Sequence, residues 1–226
     1  MNRELYINTI KKECAFLEQE GYIFNQIENN IYYTKDSERE GCRISFSWLE
    51  YGDKFDSYGI SAEKRFNIIE QEIQKILGGS LLNYYTIHKS PLVDYIPNCL
   101  KFSGTENKNC FITNSVNDIE LFAELIKEFY SKTAFDFFES YKNIDTVNRQ
   151  LKELLEAKKI QALLTSSMGN TTILRFYVIA IVCMNNPIKD FFKETYFPYI
   201  ESSLDNEINK IESDRFKLLQ KNLLLI

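Results

Sequence analysis

The spacing of apolar residues changes along this chain from a period of two to a period of about 3.6 near Asn117, and the longer period then persists almost to the end. Alternation lines one face of a strand, whereas 3.6 lines one face of a helix. A chain written this way predicts an α+β protein: an antiparallel sheet flanked by helices in the N-terminal half, then a helical C-terminal half.

The first half opens with a helix over about residues 3 to 20. Tyr6, Ile10, Cys14 and Leu17 share a face, Lys11, Lys12, Glu18 and Glu20 lie off it, and Gly21 ends it. Tyr22 to Glu28 and Ile31 to Lys35 then flank Asn29-Asn30 and predict a hairpin. In CRISFSWLEY, Cys42, Ile44, Phe46 and Trp48 alternate with Arg43, Ser45 and Ser47, as in a half-buried strand. A loop from Gly52 to Gly59 follows, then a helix from about Ser61 to Leu77 with Phe66, Ile69, Ile73 and Leu77 on its apolar face, ended by Gly78-Gly79. Two shorter strands are expected at Asn83 to Lys89 and Cys110 to Thr113, separated by an irregular stretch containing Pro91 and Pro97.

In the second half, Asn117 or Asp118 can cap a helix whose stripe is Ile119, Phe122, Ala123, Ile126, Phe129, Tyr130, Phe137 and Phe138. Further helices are expected at about 145–164, 172–184 and 187–200, with a break from Ser166 to Thr172 and a last helix from Ser202 that turns Leu204, Ile208, Ile211 and Leu218 inward. The division is readable in two ways: regions 1–115 and 116–226, or one continuous unit.

The functional kit is sparse. One histidine, His88, occurs in 226 residues, and on its expected strand the bland reading is a hydrogen-bonded imidazole at a sheet margin. The five cysteines (Cys14, Cys42, Cys99, Cys110, Cys183) form no CxxC, so neither a zinc site nor a redox pair is expected, and free thiols fit a reducing cytoplasm. No phosphate-binding glycine motif occurs, and no cofactor is expected. The net charge is -5 and no basic cluster is longer than a pair, which argues against nucleic acid as a partner. The apolar run Ile173 to Met184 is interrupted by Arg175 and falls short of the roughly 20 residues of a membrane-spanning helix. The start of the chain does not read as a signal peptide. Asn170-Thr171-Thr172 matches a glycosylation acceptor, but helix capping explains it better. The terminal Leu223 to Ile226 run is expected to be buried.

The candidate contact surface is the segment from Tyr51 to Gly59. Tyr51, Phe55 and Tyr58 supply broad aromatic surface and Asp53 and Asp56 supply acceptors, as protein interfaces use them. The alternative is a carboxylate-dependent hydrolase acting on a small substrate with a pair drawn from Glu38, Glu40, Glu50, Asp53 and Asp56.

The order of elements, together with FDFFESYKNIDTVNRQL and RFYVIAIVCMNNP, resembles small bacterial proteins of unknown function related to polymorphic-toxin immunity proteins. By order of elements the resemblance runs from Leu5 to Phe197. It implies a non-catalytic protein-binding module whose surface recognises another macromolecule, such as a toxin or a mobile-element protein, with the negative balance favouring a basic partner.

Overall fold

The computed structural model describes residues 2–80, 85–89, 110–160 and 171–202, with single positions at 214, 217, 218 and 221. The stretch around Pro91 and Pro97, Cys99, the start of the strand expected at Asn83, most of the break from Ser166 including Asn170, most of the last helix and the Leu223 to Ile226 run lie outside the described residues. The protein is α+β, with an antiparallel sheet first and helices after it. Its contacts form two compact units that interleave in sequence, Met1–Lys64 with Ile87–Ser140 and Arg65–Thr86 with Tyr141–Ile226. They do not divide at residue 115: the helix after that point belongs with the sheet, and the helix before Gly78 belongs with the later helices.

In the first unit α1 (Arg3–Glu13) is capped by Asn2, whose side chain accepts from the Leu5 N–H, and α2 (Ala15–Gln19) continues it after a kink at Cys14. Tyr6, Ile10, Cys14 and Leu17 are all completely buried, as their spacing requires. Gly21 takes φ +87°, and β1 (Ile23–Ile27) follows. β1 pairs with β2 (Asn30–Asp36) in the register Ile27 opposite Asn30, which puts Glu28-Asn29 in the turn, one residue earlier than Asn29-Asn30; Glu28 takes the positive φ, 53°.

β3 (Glu40–Tyr51) turns directly into β4 (Lys54–Phe66) through Gly52-Asp53. The loop expected from Gly52 to Gly59 is therefore a hairpin turn and half a strand, and the helix expected from Ser61 begins only at Asn67. Gly52, φ +63°, occupies the first turn position, where a two-residue hairpin tolerates a glycine best. Phe55 and Ser57 are buried, but so are Ile60, Ala62 and Lys64, so the alternation slips by one residue at Gly59, φ +69°. That slip is the mark of a glycine bulge, and it concealed the strand from a period-two reading.

Among the described residues the sheet has six strands, β1 to β5 in that order, with β5 (Ile87–Lys89) and β6 (Cys110–Thr113) each pairing with a different part of β4. One face carries Ile31, Tyr33, Ile44, Phe46, Trp48, Phe55 and Phe111, all at most 2% exposed. Tyr6 stacks on Phe55 with centroids 4.8 Å apart, and its hydroxyl lies 2.6 Å from Ser57 Oγ. The second cover is α4 (Val116–Phe129), whose Phe122 ring meets Phe46 at 5.2 Å and Phe111 at 5.5 Å. Its cap is Ser115, in a reciprocal box with Asp118, rather than Asn117 or Asp118 alone. A π-turn at Tyr130–Ala134 leads into α5 (Phe135–Ser140), and the extra residue rotates the stripe so that Ala134, Phe137 and Phe138 are buried while Phe135 is exposed.

The second unit contains α3 (Asn67–Leu77), α6 (Ile144–Glu156, capped by Asn143), α7 (Thr171–Val182), α8 (Asn186–Phe191) and, after a second π-turn at Phe192–Tyr196, α9 (Phe197–Ser202). α7 packs against α3, α6 and α8. Leu174 to Ala180 are buried without interruption, which is why that helix is apolar on every side. Arg175 is part of that burial: its guanidinium donates to both oxygens of Glu70 on α3, Nε at 2.8 and 3.0 Å and one terminal nitrogen at 2.9 Å, while Thr86 Oγ1 donates to the same carboxylate at 2.8 Å. Leu218, expected inside, is 43% exposed.

Candidate interaction surface

The face of the sheet opposite α1 and α4 is built from the other half of each alternation. Because β2 pairs Tyr32 with Ser45 and Thr34 with Arg43, and β1 pairs Asn25 with Tyr32, those side chains stand side by side. The bulge at Gly59 brings Ser61 and Glu63 onto the same face and places Lys64 on the other, beside Cys42 at 3.5 Å and Glu40 at 2.8 Å. Without the bulge the glutamate would point into the core.

The centre of this outer face is already held. Arg43 donates to Glu63 and lies 4.7 Å from the Tyr32 ring centroid; Ser61 Oγ donates to the other oxygen of Glu63 at 3.1 Å, and Ser45 and Ser61 are 3.0 Å apart. Ser47 donates to Asn30 at 2.5 Å. His88 stands directly opposite Glu63 on β5 and is exposed. These side chains bond to one another across three strands, which holds the face rigid.

Pairing with β2 ends at Ser47, so the far end of the β3–β4 hairpin projects past the β1–β2 turn. Leu49 and Tyr51, 41% and 59% exposed, share the outer face there. Asp53 is exposed in the turn, and Asp56 and Tyr58 are half-buried on β4 before the bulge. Phe55 is 0% exposed, in the stack with Tyr6, because its position on β4 is of the opposite parity. Of the five residues expected to form one surface, the hairpin thus brings Tyr51, Asp53, Asp56 and Tyr58 together and withdraws Phe55 into the core.

Sequence reasoning missed Leu49, Glu63 and Ser61. The signal that could have found them is Tyr51-Gly52-Asp53-Lys54, a glycine-led two-residue turn between residues of high strand preference. Of the acids considered for hydrolysis, Glu40 is paired with Lys64, Glu38, Glu50 and Asp53 are exposed, and Asp56 is half-buried. Among the described residues, no group of three or more His, Cys, Asp or Glu side chains is placed to hold a metal ion. Among the same residues, no helix is long and apolar enough to cross a membrane.

Fold and surface together define an α+β protein with a six-stranded antiparallel sheet covered on one face by helices of its own unit and displaying a projecting hairpin. No family model, no curated protein and no solved structure matches the chain.

Proposed function

We propose that this chain is a non-catalytic protein-binding module and that the projecting end of the β3–β4 hairpin is its contact surface. The observation that carries this reading is the pairing of two large exposed apolar side chains, Leu49 and Tyr51, on a strand segment that β2 leaves unpaired. Large neighbouring apolar groups on a rigid, turn-ended element are what interfaces use as anchors.

Glu50, Asp53 and Asp56 lie on the same hairpin within five residues of Tyr51, against Lys54 as the cation in that stretch, so the partner presents a basic, partly apolar patch. Complementary charge raises the encounter rate and fixes register more than it adds affinity. The resemblance of the helical segments to immunity proteins supplies the class of partner: a basic toxin domain, neutralised by being covered.

The test is retrieval of the partner from the organism that makes this protein, with the wild-type chain and the Leu49→Ser/Tyr51→Ser variant as baits. The wild type is expected to hold one stable protein partner, released progressively as salt rises, and the variant to retain less than about a tenth of it. No stable partner for the wild type, or equal retention by a variant that still folds, would remove this reading.

A further inference from the structure

We infer that β1 is a self-pairing edge and that two copies of this chain join through it into one continuous sheet, doubling the six strands found among the described residues of each copy. The argument begins with which backbone groups are open. A two-residue turn at Glu28-Asn29 makes Ile27 and Asn30 a mutually bonded pair, and with the observed register Asn25/Tyr32 and Ile23/Thr34 are the next two. The N–H and C=O of Phe24 and Gln26 consequently point away from β2, along the side of the strand on which no strand among the described residues pairs with it. The run is bounded at one end, where the Tyr22 N–H is bonded to Leu17 O at 3.0 Å.

Edge strands of soluble proteins are usually blunted by a charge, a proline or a bulge. IFNQI contains none of these, and Ile23 and Ile27 are 66% and 60% exposed. What identifies the occupant as a second copy is the symmetry of the segment. Antiparallel self-pairing about Asn25 sets Phe24 of each copy against Gln26 of the other, so that the open groups exchange four backbone hydrogen bonds. It sets Ile23 against Ile27 on the outer face in non-hydrogen-bonded pairs, where side chains approach most closely.

Two five-residue strands cover much less than the roughly 1,200 Å² of a stable interface, so the dimer forms at high protein concentration, with a dissociation constant on the order of 0.1 to 1 mM. Sedimentation velocity on the full chain from about 10 µM to about 1 mM is expected to show the mass rising from 26.6 kDa toward twice that value. Ile23→Lys/Ile27→Lys, which opposes like charges across the junction, is expected to weaken association at least about tenfold, whereas Ile23→Lys/Ile27→Glu restores it. Gln26→Pro, which removes an N–H directed at the open edge, is expected to abolish it. A monomer throughout the concentration range, or a dimer indifferent to the double-lysine change, overturns the inference. The Leu49→Ser/Tyr51→Ser variant should self-associate like the wild type, so this result and the partner test fail independently.

Discussion

A buried thiol and a buried ion pair illustrate how little of a residue's behaviour is set by its own chemistry. Cys14 lies at the junction of α1 and α2 with no exposure, and burial raises its thiol from an ordinary 9.0 to about 12. The folded chain therefore holds that proton more tightly than the unfolded chain does. Stability from this source is complete below about pH 9 and is lost progressively as the pH rises toward 12. Tyr22 and Tyr33, also raised by burial, act in the same direction. Denaturant midpoints measured across that range should fall, with Trp48, the one tryptophan and fully buried, reporting unfolding through its emission. A maleimide at neutral pH should label Cys14 only after unfolding, as read by peptide mapping; rapid labelling of Cys14 in the native protein would contradict its burial.

Among the elements, α7 was legible as a buried helix from its composition, yet the reason it carries Arg175 was not. The arginine interrupts an apolar run, and its partner Glu70 sits 105 residues away on a helix whose expected start was six residues early. A buried carboxylate held by two guanidinium nitrogens and the Thr86 hydroxyl is intolerant of losing one side. Glu70→Gln or Arg175→Met is expected to cost roughly 3–5 kcal/mol, measured by denaturant unfolding, because each leaves an uncompensated buried group. Replacing both by apolar residues, Glu70→Leu/Arg175→Met, should recover most of that loss. Single changes costing under about 1 kcal/mol would show the pair to be solvated. The β4 strand was obscured for a different reason. Its alternation is correct on either side of Gly59, but the bulge joins two segments of opposite phase, and a search for one unbroken period passes over it.

For the whole molecule, α4 is decisive. Ile119, Phe122, Ala123 and Ile126 were readable as one stripe, but a stripe does not name the surface that buries it; here it is the sheet of the first unit. A fragment ending at residue 115 would leave Phe46 and Phe111 without Phe122 over them. Expressed alone it should show no cooperative unfolding of Trp48, whereas a sharp transition would mean that α4 is dispensable to that core. The sequence by itself determined where the chain helps one face of a helix or strand to be apolar, and so the α1 face, the Ile44–Phe46–Trp48 face and the α+β class, because periodicity depends only on local geometry. The tertiary structure alone decided which faces meet, that Phe55 turns inward while Tyr51 stays out, and that Glu70 meets Arg175, because those outcomes depend on contacts between residues far apart in the chain, where local spacing carries no information.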